Sequence, residues 1–549
     1  MMQSNSTPAV GGELTLGQEA LWLIQNLDPE CVAYNVTAAL SLHFPVDAEL
    51  MESAVRAAVL DHTLLGSLFG CDDSGRVRRR PAGATAALTE RYEPDLDGDE
   101  LRAFALGLTR RPFDLDREPP IRTALLRRRN APDILLITAH HIVADNVSQL
   151  LLCREILSRY AALREGRAYA ALDTGAAFDR FAQRQHAYLA SPQADRARRH
   201  WQEELRGLSR HTAVPADLPR PDVYRAEGAE VVLDLPPDLV EGLGEAVAAH
   251  NVTTFAYLLA VLELLLHRST GQTDFLVGYP VTQRRGAELR GAIGYFVNTL
   301  PLRARIDPDD GFDALLRRTT AGLWRGLLHR DYPFALMPRL VDLPRDPGRP
   351  GLITVLFAFN ELDTDDPIVA VLEPGREVEH AGLRTAEYHL PQQQGQFELT
   401  FQVTRHARTL KATLKYNTSL FTERAALRLA EQYRSLLRSA VTDTLPAALR
   451  ELIPRSESGS MDTAQTDAGR AARRTRIRDV AAAVFTAEPG AVEAAEDFAQ
   501  DLDTDSLLAV DFLVELERVF EVSLDVDQIP QLMAGLDSAY ETVAESAGW

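Results

Sequence analysis

The 549-residue chain is short of cysteine, of bases at its C-terminal end and of long apolar runs, and each shortage excludes something. Its three cysteines, Cys31, Cys71 and Cys153, are too few and too scattered for a disulfide framework or a zinc cluster, and they suit a reducing cytoplasm. Nowhere do about 20 apolar residues follow one another, the length a helix needs to cross a bilayer, so a membrane-inserted chain is not expected. Met1 to Gly12 are polar, with neither a basic lead nor an apolar stretch, and give no export signal. Residues 485–549 hold 16 acids and one base, Arg518, which is −15 of the overall −21. That field repels nucleic acid and favours partners with basic surfaces. What remains is ordinary globular composition, 46% hydrophobic and 25% charged, over a length that suggests three or four units.

The stretch Ser456 to Gly469, SESGSMDTAQTDAG, has no apolar periodicity and separates two segments that do, so it reads as a linker. Within it Gly459-Ser460-Met461 has the form of a cloning junction followed by a second start codon, as if two proteins had been joined by design. The larger part alternates strand-like runs (Ile134 to Ile142, Phe275 to Tyr279, Leu352 to Phe359, Phe397 to Val403) with helix-like ones (Ala48 to Leu60, Gln149 to Glu165, Thr254 to His267, Ala425 to Val441). That pattern predicts mixed α/β layers. A break near Ala190 to Ser209 divides it into two lobes, and a cleft between lobes is a default place for a site.

The most informative stretch is Ile134 to Ser148, ILLITAHHIVADNVS. Successive strand side chains point to opposite faces, so His140 and His141 cannot both serve one site while the strand stays regular. One is expected to act chemically and the other structurally. Asp145 falls past the strand's end, Asn146 can take the left-handed backbone, and a helix is expected from about Val147 to the C-capping Gly166. In a catalytic reading His141 is a general base or hydrogen-bond donor near neutral pH and Asp145 fixes its loop. A metal site would need a third ligand, and no matching cluster of His, Cys and acids is seen. Two histidines satisfied inside a core are the bland alternative, and spacing alone leaves it open.

The same stretch resembles the HHxxxDG motif of nonribosomal peptide synthetase condensation domains, with Asn146 in place of glycine. Further strings follow in the family's order: LTLGQEALW (Leu14 to Trp22), DHTLLGSLF (Asp61 to Phe69), FDRFAQRQ (Phe178 to Gln185), IGYFVNTLPLR (Ile293 to Arg303), HRDYPF (His329 to Phe334) and RDPGRPGLITVLFAFN (Arg345 to Asn360). The resemblance implies two chloramphenicol-acetyltransferase-like lobes in a V around a central tunnel, entered at opposite ends by donor and acceptor carriers. It assigns catalysis to His141, with His140, Asp145, Asn146, Ser148 and Asn298 in support, and no metal. The family's usual arginine in the second motif is replaced by Gly66, so Asp145 must find another arginine or accept backbone N–H groups. An unpaired buried carboxylate would cost several kcal/mol. The aspartate-rich motif of heterocyclising relatives is absent, the second histidine missing from recruitment-type relatives is present, and the extra glutamate motif of epimerising relatives is not found, which leaves bond formation.

Near the C-terminus Ala509, Phe512, Leu513, Leu516, Val519 and Phe520 follow helical spacing, the buried face of an amphipathic helix with Asp511, Glu515 and Arg518 outside. An acidic helical bundle would satisfy this without any special role, with Asp505 as N-cap of the helix. The string DLDTDSL, Asp501 to Leu507, together with Leu516, Glu517 and Phe520, is similar to the signature of acyl and peptidyl carrier proteins, Asp503 standing for a glycine. That resemblance makes Ser506 the attachment site of 4'-phosphopantetheine, whose phosphodiester suits a helix N-terminus. Leu507, Leu508 and Val514 lie off the stripe and are candidates for partner contact.

The expected organisation is an N-lobe over 11–190, a C-lobe over 191–455, a flexible linker over 456–470 and an all-α four-helix carrier bundle over 471–549. The expected function is transfer of an acyl, peptidyl or polyketide group from a carrier-bound thioester to an amine or hydroxyl in natural-product biosynthesis. Expected partners are donor or acceptor carriers of a synthetase assembly line, a small-molecule nucleophile and a phosphopantetheinyl transferase, with no nucleic acid or membrane. A coenzyme A-dependent acyltransferase and a degenerate docking module, marked by Gly66 and Asn146, are the alternatives.

Overall fold

The unbroken apolar run Ile134 to Ile137 is what a strand buried on both faces requires, and the strand Asp133–His140 meets that description. Leu135, Ile137 and Ala139 face one core, and Ile134 and Leu136 face a second, smaller one with Leu101, Ala105 and Leu126. The structure is a computed structural model and describes all residues except 1–11, 83–87, 94, 170–175, 345, 362–365, 374, 392–394, 407–408, 453–461, 496, 503–505, 521–523, 525–527 and 548–549.

The described residues form two six-stranded sheets and a ribbon. Numbered along the chain, the first sheet holds β1 (Asn35–Leu42), β4 (Leu88–Tyr92), β5 (Ile121–Arg127), β6 (Asp133–His140), β11 (Glu377–His380) and β12 (Leu383–Glu387), in the order β11-β12-β1-β6-β5-β4. The ribbon pairs β2 (Ser67–Cys71) with β3 (Val77–Pro81). The second sheet holds β7 (Gly228–Asp234), β8 (Asp274–Thr282), β9 (Val297–Arg305), β10 (Val355–Glu361), β13 (Leu399–His406) and β14 (Thr409–Asn417), in the order β7-β14-β13-β10-β8-β9. The pairs β4 with β5, β8 with β10 and β10 with β13 are parallel; the others are antiparallel. Each sheet has its own core. The helix Thr254–Thr270, apolar on nearly every side, is buried in the second from Ala256 to His267 and ends at Gly271, whose φ of +65° closes the last turn.

The chain divides into a unit of residues 1–453 and a unit of residues 454–549. Inside the first, no single cut near residue 190 separates the cores. Leu289 to Phe296 and Ile368 to Leu383 come from the later part of the chain yet pack into the earlier core, and β12 pairs with β1. A sheet edge exposes unpaired N–H and C=O groups, and β12 covers that edge of β1.

The C-terminal unit is helical, but among its described residues six segments replace the four helices expected. Asp462–Val484, Ser506–Phe520 and Leu536–Ala547 are long, while Pro489–Ala494, Phe498–Asp501 and Ile529–Met533 have six residues or fewer. The first of these helices takes in residues 462–470, which the sequence alone assigns to the linker. Gly459-Ser460-Met461, Asp503 and the proposed N-cap Asp505 lie outside the described residues. Ala509, Phe512, Leu513 and Leu516 are buried together as the periodicity predicts. Leu508, expected as a partner contact, packs partly against this core. The side chains of Leu507 and Val514 lie outside the described ones. No single described helix is long and apolar enough to cross a membrane.

Candidate active site

The strand β6 ends at His140, opposite Asn35 of β1, and the next residue already belongs to a turn. His140 has no exposed surface; its Nδ1 accepts the Ile142 N–H at 3.1 Å and its Nε2–H donates to Gln25 Oε1 at 3.2 Å. Both nitrogens are therefore used within the protein, and burial drives its pKa down to about 3, so the ring is neutral.

His141 is held differently. Its backbone N–H donates to Tyr34 O at 2.8 Å, and its Nδ1 lies 2.8 Å from Ala144 O. A carbonyl can only accept, so Nδ1 carries the proton and Nε2 carries the lone pair. The Tyr295 ring stands edge-on with its centroid 5.2 Å away. Burial lowers the His141 pKa below its ordinary 6.5, opposed by the Ala144 carbonyl and the Asp145 charge, so the ring is unprotonated at neutral pH. The strand ends between the two histidines, so His140 sits in the sheet with both nitrogens bonded, while His141 sits in the turn with its proton on Nδ1.

Asp145 caps the helix Asn146–Arg164 with its Oδ1 accepting the Ser148 N–H at 2.8 Å. The same oxygen accepts Ser148 Oγ at 2.8 Å and Arg284 Nη2 at 2.9 Å, and Oδ2 accepts the Phe296 N–H at 3.2 Å. Denied an arginine at position 66, the carboxylate has found both remedies, a distant arginine and backbone donors. Arg284 is 7% and Asp145 3% exposed. The guanidinium also donates to Ser148 Oγ at 2.6 Å, to Ala292 O at 2.6 Å and to Leu289 O at 3.1 Å, and it lies 4.2 Å over the Phe296 ring. Ser148 adds a second link to the IGYF segment just before β9, since its Oγ is 2.7 Å from Gly294 O and accepts the Gly294 N–H at 3.0 Å. Nothing in the local sequence around Arg284, VTQRRG, signals this role; only the fold brings it 139 residues back.

Asn146, expected in the left-handed region, is instead the first residue of the helix and is exposed; the described non-glycine residues with positive φ are Asn251, Ala381, Asp443 and Thr486. Because Asp145 itself caps the helix in an extended conformation, the chain enters the first turn directly. Asn298 belongs to a different network. Its Nδ2 donates to Arg330 O and Tyr332 O, both at 2.9 Å, and its Oδ1 accepts the Phe334 N–H at 2.9 Å. It braces the HRDYPF segment and shares no hydrogen bond with the Asp145 cluster. In the C-terminal unit, Ser506 is the first residue of the helix Ser506–Phe520, where first-turn N–H groups suit a phosphodiester.

A family model of the condensation domain matches residues 12–458, and one of the phosphopantetheine attachment site matches residues 475–538. Phosphinothricin tripeptide synthetase PhsC of Streptomyces viridochromogenes is 32% identical over 439 residues, covering 78% of this chain and 39% of that protein. Tyrocidine synthase 2 of Brevibacillus parabrevis is 29% identical over 438 residues, covering 79% of this chain and 12% of that protein. The chain thus spans well under half the length of these curated relatives. Among solved structures, a holo four-domain nonribosomal peptide synthetase bound to AMP and glycine matches with a TM-score of 0.72 at 22% identity, covering 82% of this chain and 35% of that one. The first condensation domain of the calcium-dependent antibiotic synthetase matches at 0.64 and 25%, covering 81% and 98%.

Proposed function

The chain belongs to the condensation-domain family and carries a phosphopantetheine attachment domain after it, and from that premise we propose that it transfers a carrier-bound acyl group to an amine or hydroxyl, with His141 as the base. The observation that carries the reading is the 2.8 Å contact between His141 Nδ1 and Ala144 O, because it leaves Nε2 as the acceptor on a neutral ring. A nucleophile placed against Nε2 gives up its proton as its bond to the acyl carbon forms. The protein holds that proton at Nε2 until the bond to sulfur has broken and then gives it to the leaving thiolate, which restores the neutral ring. Attached at Ser506, 4'-phosphopantetheine supplies the thiol that carries the acyl group as a thioester. Holding both partners in one place, in a tunnel between two lobes, supplies proximity and keeps out water. Asp145 acts as a loop anchor rather than a proton acceptor, since its oxygens are occupied by Arg284, Ser148 and Phe296 N–H.

Donor or acceptor carriers of an assembly line, a small-molecule nucleophile and a phosphopantetheinyl transferase complete the proposal. The engaged Asp145 speaks against a degenerate site, which would have no need of a rebuilt ion pair. The test is intact mass of the protein with Ser506 carrying an acyl-phosphopantetheine, before and after amines and alcohols are added, in wild type and His141→Ala. Loss of the acyl group with a coupled product, dependent on His141, is expected. Equal rates in the two proteins, with this carrier and with a separate acylated one, overturn the assignment.

A further inference from the structure

The helix Phe312–Leu328 places Ala314, Arg318, Ala321 and Arg325 at helical spacing, a stripe in which small residues alternate with cations. Beside it a cleft of about 440 Å³ opens between this helix, the end of β9 and the buried helix Thr254–Thr270, within the size range of small-molecule sites. Arg303 in its wall stands about 17 Å along β9 from Asn298, so the cleft is separate from the bracing of the HRDYPF segment.

Glu263 forms the floor. It is 1% exposed, its Oε2 meets Thr319 Oγ1 at 2.8 Å, and its Oε1 has no hydrogen-bond partner. Burial pushes this carboxyl up to about 8, so at pH 7 it is neutral and does not repel an anion. Arg318 Nη1 donates to Asp310, while its Nε and Nη2, also buried, have no partner among the described residues. Buried polar atoms are nearly always paired, and a guanidinium edge with both donors open is the fork that takes two oxygens of one oxyanion. A single water, whose share of liquid volume is about 30 Å³, would leave most of this cleft unfilled.

The charges in the wall set the charge of the occupant. Arg303 is matched by Asp274, Arg305 by Glu204 and Arg318 by Asp310. Arg317 and Arg325, exposed at the rim, have no ion pair or hydrogen bond among the described residues, so the surplus is theirs. We propose that this cleft is a binding site for a small molecule carrying a phosphate monoester, gripped at the floor by the open edge of Arg318 and neutralised at the rim by Arg317 and Arg325. A phosphate monoester brings nearly two negative charges and three acceptor oxygens, which meets both the surplus and the open donors. The proposal does not depend on His141 or on acyl transfer.

Titration calorimetry of the full chain with inorganic phosphate, glycerol 3-phosphate, succinate and glycerol, at one ionic strength, tests it. Both phosphates should bind with a Kd of about 1 mM or tighter, succinate more weakly and glycerol not at all. Arg318→Met should weaken both phosphates about tenfold or more, the worth of a charge-assisted hydrogen bond. Ala321→Phe fills the cleft from an exposed helix position and leaves the buried pairs alone, so it should weaken them too and decides the matter if Arg318→Met fails to fold in a thermal melt. Failure of glycerol 3-phosphate to bind, affinity unchanged in folded Arg318→Met or in Ala321→Phe, or tighter binding of succinate than of glycerol 3-phosphate overturns the proposal.

Discussion

At the scale of single residues, the contrast between His140 and His141 comes from which groups meet their ring nitrogens. His140 is satisfied at both nitrogens by Gln25 and Ile142, whereas in His141 the Ala144 carbonyl fixes the proton on Nδ1 and the lone pair on Nε2. Because burial lowers the His141 pKa below 6.5, kcat/KM should be flat near neutrality and fall on the acid side, along a limb whose midpoint is below pH 6.5. Measuring this limb with a non-titrating amine surrogate or an alcohol separates His141 from the nucleophile. The need of Asp145 for a partner was legible only through the family resemblance, whose usual arginine is Gly66 here, because a buried carboxylate must be met. Which arginine meets it was not, since Arg284 stands in a segment with no marker and is delivered by the turn between β8 and β9. Arg284→Met should leave Asp145 buried without a counter-ion, held only by Ser148 and the Phe296 N–H, and destabilise the first unit by about 3 to 5 kcal/mol, read as a shifted denaturation midpoint.

At the scale of elements, the helix Asn146–Arg164 and the IGYF segment are tied by Asp145 and Ser148, and Gly294 sits at the tie. A Cβ there would lie 2.1 Å from Phe178 Cδ2, so the helix Ala177–Leu189 would have to move. Gly294→Ala should cost about 1 to 3 kcal/mol and lower kcat more than KM, as the His141 loop shifts. Elsewhere the buried helix Thr254–Thr270 carries Glu263, whose Oε2 is 2.8 Å from Thr319 Oγ1 while that hydroxyl is also 3.0 Å from Leu315 O. A hydroxyl with one hydrogen can donate to only one of them, and a protonated Glu263 can donate in turn. Burial raises this carboxyl from 4.5 to about 8, so the folded state holds the proton more tightly than the unfolded one. Its contribution is complete below pH 4.5 and is lost as pH rises through about 8. The melting temperature of the wild type should fall across that window, and that of Glu263→Gln should fall less.

At the scale of the whole molecule, the separate core of the C-terminal unit predicts independent unfolding. Leu516→Ala, at a position with no exposed surface, should lower one calorimetric transition by about 2 to 5 kcal/mol and leave that of the first unit in place. Within the first unit the two cores are not consecutive pieces of chain. Strands β11 and β12 return to the first sheet after most of the second has been laid down, a crossing that composition and periodicity do not record.

The sequence by itself determined what depends on neighbours along the chain. Alternation and helical spacing predicted the strands and helices around His141, the burial of Phe512 and Leu516, and the mixed α/β class, because side-chain direction follows local backbone geometry. The ordered motif strings determined the family. Only the tertiary structure decided what depends on residues far apart in the chain: Arg284 on Asp145, Asn298 on the HRDYPF segment, and β12 on the edge of β1. Hydrogen bonds and ion pairs act over a few ångströms of space, and that distance carries no fixed relation to separation along the chain.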